Sequence, residues 1–478
     1  MSAFTNFFGD LFRTRASRER KRLAAQDLDF AADDEQLTNS VLDIANARRR
    51  GKTDNLPGFL ASAIDRPGSR TARSGLLNAR LVLRDLFTPA QPVTQRSRFA
   101  GRLDVLANLI EIIEEQRSHV VVYGERGIGK TSLMHILADL ARESQYLVIY
   151  ESCGSDSRFD EIFRSALRQI PLLYLSTLSP MGPEAESKAN FASQITDAPF
   201  NARELSELLA RVVGTRVIII LDEYDRTEDP QFRRSVAELI KNLSDRAARV
   251  QLVLAGVASN LQELIGYIPS VRRNIVGLPM PRMSGSEVRS LIGVGEAGAG
   301  IKFEDRVTSM IELLANGSPY LVRLLSHHAS MKAVDAGRMT VEIGDIRQAL
   351  DKAVDEAEMR VDALGSRGLD RFVSDDKAPF IAAVARAATT PDGWFSEADI
   401  VENLPANLTH LNVKSEFAAL AGIGHVLTTD KTLEPPRYRF IDEAMPTYLW
   451  LRIARDHLKA GRDTGEMVSA QRKVAGKA

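Results

Sequence analysis

Gly124-Glu-Arg-Gly-Ile-Gly-Lys-Thr131 is the stretch that decides the fold of this 478-residue chain. It fits the spacing G-x-x-x-x-G-K-[ST] and lies between an apolar run, Val120 to Tyr123, and an amphipathic helix pattern over Thr131 to Glu143. A glycine-rich loop between a buried strand and a helix turns backbone N–H groups and the positive end of the helix dipole toward an anion. The sequence therefore predicts a phosphate-binding loop inside a nucleotide-binding α/β domain.

The loop and the first turn of the helix supply the predicted nucleotide contacts. Lys130 is expected to contact the β and γ phosphates and to act in catalysis, and the Thr131 hydroxyl is expected to complete a magnesium shell. These roles predict ATP and Mg²⁺ as cofactors. The predicted nucleotide-binding residues of this segment are Gly124, Glu125, Arg126, Gly127, Ile128, Gly129, Lys130, Thr131 and Ser132.

A second motif lies further along the chain, where the apolar run Val217 to Leu221 ends abruptly in Asp222 and Glu223. A carboxylate at a strand tip suits a magnesium contact, usually through water, and its neighbour suits a base that polarises the attacking water. We therefore predict Asp222 as the second magnesium residue and Glu223 as the catalytic base. Asp225 is expected to be a structural hydrogen-bond acceptor.

The apolar runs around these motifs predict the fold class, α/β with a parallel sheet. Strands are predicted at 120–123, 146–151, 216–221 and 250–255, with a fifth at 274–278. Continuous apolar strands separated by helices indicate a parallel sheet that is covered on both faces. The Pro- and Ser-rich residues 171–200 indicate an insertion or a mobile loop between the second and third strands.

Together these residues resemble the AAA+ ATPases, and within them the branch shared by the Orc/Cdc6-like and STAND NTPases. Arg98-Phe-Ala-Gly-Arg102 is similar to the F-x-G-R box that lies near the adenine in that branch. Gly317-Ser-Pro-Tyr-Leu-Val-Arg323 is similar to its G-x-P and sensor-2 segment at the start of a lid helix. The resemblance implies an ASCE-type P-loop NTPase with nucleotide contacts from Arg102 and Pro319. It also implies a catalytic cation, Arg323, that reaches the γ-phosphate when the lid closes.

Two further segments resemble sensor 1 and the arginine finger of that family. Either Ser259 or Asn260 stands at the sensor 1 position. If it is Asn260, its side chain is a nucleotide contact. Alternatively, Asn260 is the N-cap of the next helix. Arg272 and Arg273 resemble the segment that inserts an arginine into a neighbouring subunit's site. The alternative is a solvated pair before a strand. A finger acting in trans implies a homo-oligomer formed with ATP.

Residues 376–460 carry the pattern of a winged helix, a variant of the helix-turn-helix. Helices are predicted at 376–390, 395–403 and 411–421, and two β-like runs follow at 425–429 and 437–441. Ser396 is the expected N-cap of the second helix, because an acidic first turn follows it. In the resembled family, similar domains follow the lid.

DNA binding through this unit is one possible role. A DNA-reading helix brings several cationic or amide side chains to the groove. The third helix offers only His410, Asn412 and Lys414, and the wing adds Lys431 and Arg437. Because this set is sparse, docking onto a protein is at least as strongly expected.

The chain is expected to divide into six parts, with the family resemblance covering roughly 86–358. These are a basic, partly disordered arm at 1–85, the nucleotide-binding core at 86–281, a purely helical lid at 282–358, a linker at 359–375, the winged helix at 376–460 and a flexible tail at 461–478. The first twelve residues carry a helical stripe of four Phe and Leu11, which suits an anionic membrane, a partner's groove or docking on the protein itself.

Composition excludes several classes of protein. The 44% hydrophobic content indicates a globular chain, and a net charge of -1 excludes binding to nucleic acid through overall basicity alone. The charge is uneven, however, because residues 1–100 hold 17 basic and 11 acidic side chains. A single cysteine, Cys153, excludes an intrachain disulfide and fits a reducing cytosol, so a cytoplasmic location is expected. Apolar runs fall far short of the roughly 18 residues of a membrane span.

The sequence thus favours an ATP-hydrolysing switch of STAND type that acts on an unidentified protein partner, because no second catalytic centre is visible. Two alternatives remain. One is an Orc/Cdc6-like or transposition-type loader that assembles on DNA, and the other is a membrane-associated scaffold anchored by the Phe-rich start. The sequence leaves the rate of hydrolysis and the size of the oligomer open.

Overall fold

The computed structural model describes residues 75–177, 189–266, 269–370, 372–374, 377–390, 393–404, 413–430, 432 and 434–460. The Phe-rich start, most of the predicted arm, the predicted tail and three of the predicted DNA contacts, His410, Asn412 and Lys431, lie outside these ranges. Within the described ranges, no helix combines the length and apolar character that crossing a membrane requires.

A five-stranded parallel sheet lies at the centre of the core. Its strands are β1 (His119–Gly124), β2 (Leu147–Ser152), β3 (Val217–Asp222), β4 (Val250–Val257) and β5 (Ile275–Pro279), and their order is β2-β3-β4-β1-β5. All four pairings are parallel. Each predicted strand is therefore confirmed, as is the α/β class, since buried parallel strands need apolar side chains on both faces.

Helices cover both faces of this sheet. The first helix of the described part is α1 (Gly75–Leu86), and the core helices are α2 (Leu103–Glu111), α3 (Lys130–Glu143), α4 (Phe159–Arg168), α5 (Ala202–Leu209), α6 (Pro230–Asp245) and α7 (Leu261–Ile265). Successive residues of β1 alternate between two apolar clusters: Val120 and Val122 pack with α2 and α3, whereas Val121 packs with α4 to α6. The sheet is therefore buried by apolar side chains on both of its faces.

The lid follows β5. It consists of α8 (Gly285–Ala299), β6 (Lys302–Phe303), α9 (Asp305–Ala315), α10 (Pro319–Asp335), β7 (Thr340–Val341) and α11 (Ile343–Glu358). The prediction of helices only was incomplete here, because β6 and β7 form a parallel pair of two residues each, too short to show an alternating pattern. Helix α1 packs against α8, where a Cβ at Gly295 would lie 2.1 Å from the Phe87 ring.

The C-terminal unit contains the three predicted helices and the predicted hairpin, together with two helices that were not predicted: Ala363–Asp370 lies within the predicted linker 359–375, and Met445–Lys459 follows the hairpin. Its elements are α12 (Ala363–Asp370), α13 (Ala378–Ala387), α14 (Glu397–Asn403), α15 (Val413–Ala421), β8 (Leu427–Asp430), β9 (Arg437–Phe440) and α16 (Met445–Lys459). Strands β8 and β9 pair antiparallel. Ser396 caps α14 in a capping box with Asp399, as predicted.

The lid and the C-terminal unit share one hydrophobic core. Residues of α9, α11 and α16, including Ile311, Leu350 and Leu449, belong to a single buried cluster, which is separate from the two clusters of the sheet. Within it, the Trp450 indole N–H donates a hydrogen bond of 2.9 Å to the Leu314 carbonyl. The described part of the chain therefore packs as the sheet with its helices and, separately, as the lid with α1 and the C-terminal unit.

Candidate nucleotide-binding site

A cavity of about 720 Å³ opens where the carboxyl ends of β1, β3 and β4 meet the lid. Ligands of open parallel sheets bind at this edge, because the loops that follow the strands converge there. The core lines the cavity with residues 126–132 and with Asp222 and Glu223. The lid contributes Pro319, Tyr320 and Arg323, and the C-terminal unit contributes Glu443.

The phosphate loop adopts the backbone that its glycines permit. Gly127 and Gly129 have φ angles of 74° and 99°, in the region that disfavours side chains, and a Cβ at Gly124 would lie 2.9 Å from the Met280 carbonyl oxygen.

The Lys130 ammonium donates to the carbonyls of Gly124 and Glu125 at 2.9 and 2.7 Å. Burial lowers the pKa of Lys130 to about 8, against the opposing charges of Asp225 and Asp222. The site thus holds a cation whose charge a bound phosphate would stabilise.

Asp222 is 4% exposed, and protein donors reach both of its carboxylate oxygens. The Tyr150 hydroxyl donates to Oδ2 at 2.6 Å, and the Glu223 N–H donates to Oδ1 at 2.8 Å. The Tyr150 ring in turn stacks on His135, with centroids 4.7 Å apart. Burial and this hydrogen bond raise the pKa of Tyr150, so it remains a donor. Sequence reasoning missed Tyr150, because its proximity to Asp222 depends on the pairing of β2 with β3.

Glu223 has a left-handed backbone, with φ of 54°. Its carboxylate forms an ion pair with Arg226 at 3.0 Å and accepts a hydrogen bond from the Ser152 hydroxyl at 3.3 Å.

Asp225 accepts a hydrogen bond of 2.8 Å from the Val257 N–H and so ties the tip of β3 to the tip of β4. This is the structural role that the sequence predicts for Asp225. Sequence reasoning missed Arg226, although its position three residues after Glu223 in a short turn was a usable signal.

Arg102 lines the cavity and is only 5% exposed. Its three guanidinium nitrogens are buried and have no hydrogen-bond partner within the described part of the chain. Burial lowers the pKa of Arg102, opposed by the charges of Glu287 and Glu125. An unpaired buried guanidinium costs free energy unless an acceptor arrives, so the arrangement favours an anionic or acceptor-rich ligand.

Arg323 and Pro319 line the cavity from the lid side, and their predicted contacts with a nucleotide stay a prediction. Pro319 is the first residue of α10, and the Ser318 hydroxyl caps that helix. Arg323 lies one turn further and is half-buried, with no salt bridge to any described residue. Burial, with the nearby charge of Arg98, lowers the pKa of Arg323 to about 10. A cation on the lid therefore faces the carboxylates and the lysine of the core across one cavity.

Other predicted residues lie elsewhere. Asn260 caps α7 by accepting from the N–H groups of Gln262 and Glu263, and the Ser259 hydroxyl bonds the Glu263 carboxylate. Neither Ser259 nor Asn260 lines the cavity, so the structure places Asn260 in the alternative role of a helix cap. Arg272 and Arg273 are exposed in the short turn Pro269–Asn274, away from the cavity of their own chain, so the predicted trans finger stays a prediction.

Comparison with known proteins identifies the core. Residues 98–255 match the family model described as the AAA ATPase domain. No curated protein matches the chain. Among solved structures, the Walker-type ATPase PABY2304 of Pyrococcus abyssi has 14% identity, covers 76% of this chain and 99% of its own, and gives a TM-score of 0.44.

Two Aeropyrum pernix structures are similar in the same way. The ORC2 protein in ADPNP–ADP complexes has 16% identity over 79% of this chain and 98% of its own, with a TM-score of 0.42. The ORC1 protein in complex with DNA has 18% identity over 80% of this chain and 97% of its own, with a TM-score of 0.39. The family match covers residues 98–255, which contain both nucleotide motifs, and it agrees with the predicted AAA+ P-loop ATPase core: this part of the chain is an AAA ATPase domain.

Proposed function

We propose that this ATPase is a STAND-type molecular switch, in which ATP and Mg²⁺ close the lid on the core and thereby control assembly and partner engagement. One observation carries the proposal: a single cavity has Lys130, Asp222 and Glu223 on its core wall and Arg323 on its lid wall. A polyphosphate bound between these walls would contact both, so its γ-phosphate would change the free energy of closure.

The donor set fits magnesium. The Thr131 hydroxyl and the Asp222 carboxylate both line the cavity, and hard oxygen donors are the ligands that Mg²⁺ prefers. When bound, magnesium would neutralise phosphate charge during transfer to water. Thr131 and Asp222 would hold it, while Lys130 and Arg102 would bind the nucleotide.

Glu223 would act as the base that orients and deprotonates the attacking water. In this structure its carboxylate pairs with Arg226, and that ion pair is largely exposed. The pair is therefore weak enough to open when water and phosphate enter. Arg323 would stabilise the charge that develops on the γ-phosphate.

The shared core of the lid and the C-terminal unit supports the switch. Because the two are packed around the same buried cluster, closing the lid would carry the C-terminal unit with it. The unit also reaches the phosphate loop, where Glu443 lies 3.5 Å from Arg126 in an exposed pair. Nucleotide state would thus be converted into the position of a surface that a protein partner binds.

Hydrolysis is tested by Glu223→Gln, which should keep nucleotide affinity and abolish phosphate release. Glu238→Gln is a matched control, because Glu238 is exposed on α6 outside the cavity. Both variants are measured for ADP binding by fluorescence and for phosphate release. Unchanged turnover in Glu223→Gln would show that another group is the base.

Assembly is tested by size-exclusion chromatography and electron microscopy with ATP, with ADP and without nucleotide. We expect a larger species with ATP, and Arg272→Ala or Arg273→Ala should slow hydrolysis only when that species forms. A single species under all three conditions, with turnover independent of protein concentration, would refute nucleotide-controlled assembly.

The same samples separate the two alternatives. A DNA loader should bind duplex DNA with a steep salt dependence and lose affinity in Lys414→Glu, whose side chain is exposed on α15. A membrane scaffold should float with anionic liposomes and stop doing so when residues 2–12 are deleted. The switch predicts neither dependence.

A further inference from the structure

Glu125, the second residue of the phosphate loop, does not line the cavity; its carboxylate is held by Arg282. The Arg282 Nε donates to Glu125 Oε1 at 2.9 Å, and Nη2 donates to Oε2 at 2.5 Å. This is a bidentate pair, the strongest geometry for an arginine and a carboxylate. Arg282 lies between the end of β5 and the start of α8, so the pair joins the loop to the connection that leads into the lid.

The same guanidinium makes a third contact. Its Nη1 donates to the Asn316 carbonyl at 2.7 Å, and Asn316 ends α9 in a left-handed conformation with φ of 45°. Next to it, the Met283 N–H donates to the Gly317 carbonyl at 2.9 Å, and a Cβ at Gly317 would lie 2.7 Å from the Met283 carbonyl oxygen. One side chain therefore spans from the phosphate loop to the turn that begins α10.

Helix α10 carries the lid residues of the cavity, Pro319, Tyr320 and Arg323. The Lys130 ammonium, meanwhile, bonds the carbonyl of Glu125, whose side chain Arg282 holds. A phosphate that draws Lys130 toward itself would thus disturb Glu125, the residue of the loop that Arg282 joins to the connection into the lid. The Arg282 and Glu125 side chains are only 26% and 19% exposed, so solvent screens their attraction less than it screens surface pairs.

We propose that Arg282 is a positioning residue that transmits the conformation of the phosphate loop to the start of α10. This inference rests on the proposed function, because it specifies the path by which bound nucleotide would set the lid. Arg282 itself contacts no reacting group; it acts through Glu125 on one side and through the Asn316 turn on the other.

The test uses hydrogen–deuterium exchange of the full chain, with and without ADP and Mg²⁺, in Arg282→Gln, Glu125→Gln and the double variant. In the wild type, ADP should protect both the loop, 124–131, and the turn, 316–323. In all three variants the loop should remain protected, while the nucleotide-induced protection of 316–323 should fall about tenfold. The double variant should lose no more than either single variant, since each removes the same connection.

Two further variants separate coupling from simple stability. Arg289→Gln removes an ion pair with Glu312 that lies wholly within the lid, and it should leave the protection of 316–323 intact. Arg282→Lys keeps the positive charge but loses the planar guanidinium that binds the Glu125 carboxylate and the Asn316 carbonyl together. The variant should therefore fold and still lose the nucleotide-induced protection of the turn. A lowered melting temperature with unchanged protection would mean that the pair is only structural.

The outcomes distinguish this inference from the proposed function. If ADP fails to protect 124–131 in the wild type, the nucleotide site itself is wrong. If ADP protects the loop but 316–323 responds equally in wild type, Arg282→Gln and Arg289→Gln, or in none of them, then Arg282 does not transmit the signal.

Discussion

His119 offers a sharp test of the packing under the sheet. It begins β1, is 2% exposed, and its Nδ1 accepts a hydrogen bond of 2.9 Å from the Leu252 N–H on β4. With Nδ1 as acceptor, the neutral ring carries its proton on Nε2. Burial lowers the pKa of His119 from 6.5 to about 4.

The sign and size of the effect follow from linkage. Above pH 6.5 the ring is neutral in the folded and the unfolded chain, so it adds no pH dependence. As the pH falls from 6.5 to about 4, the unfolded chain binds a proton that the folded chain does not, and the free energy of unfolding decreases. A shift of this size corresponds to about 3 kcal/mol in total, because each pH unit between the two pKa values contributes about 1.4 kcal/mol.

His119→Asn is the perturbation, because an amide oxygen can accept from Leu252 N–H but cannot titrate. The smaller side chain should lower stability at pH 7 by about 1–3 kcal/mol. Between pH 7 and 4.5, however, the wild type should lose about 2–3 kcal/mol more than the variant. Other buried histidines, including His327, titrate in both proteins and cancel in the difference.

The assay is urea unfolding followed by circular dichroism at several pH values between 4.5 and 7, without nucleotide. The free energies of wild type and variant should converge, or cross, as the pH falls. Curves that stay parallel to within about 0.5 kcal/mol over this range would refute the assignment of His119 as a buried neutral ring.

Three other predictions address the site and the lid. ADP binding should take up about one proton at pH 9 and almost none at pH 6.5, because phosphate restores the charge on Lys130, whose pKa is about 8. Calorimetry in two buffers of different ionisation enthalpy measures this uptake of protons. Equal uptake at both pH values would contradict the prediction. Tyr150→Phe should raise the magnesium concentration for half-maximal turnover about tenfold by freeing Asp222, whereas an unchanged magnesium titration would exclude that role. Gly295→Val should destabilise the chain by about 1–3 kcal/mol by colliding with Phe87, and adding Phe87→Ala should recover part of the loss in thermal unfolding.

Much of the core could be predicted from the sequence. The five strands were visible because a parallel strand buried on both faces must be continuously apolar. The phosphate loop was visible because its chemistry needs fixed residue types over eight consecutive positions. Asp222 and Glu223 could be identified because they end a buried strand, and the carboxyl ends of the strands of a parallel sheet lie at the same edge as the phosphate loop.

The C-terminal unit was predictable in outline for a similar reason. Its helices and hairpin follow local patterns, and the cap at Ser396 needs only the acidic residue three positions later. The short pair formed by β6 and β7 was not visible, because two residues cannot show a period.

Only the tertiary structure decided which distant residues meet. Tyr150 reaches Asp222 because β2 pairs with β3, and Arg282 reaches both Glu125 and Asn316 because the lid folds back over the loop. Local sequence carries no record of these contacts, since each partner is an ordinary residue at its own position. The sequence by itself determined the nucleotide-binding core, whose signals are local. The fold decided how the lid, the C-terminal unit and the phosphate loop are joined, because that depends on packing between segments far apart in the chain.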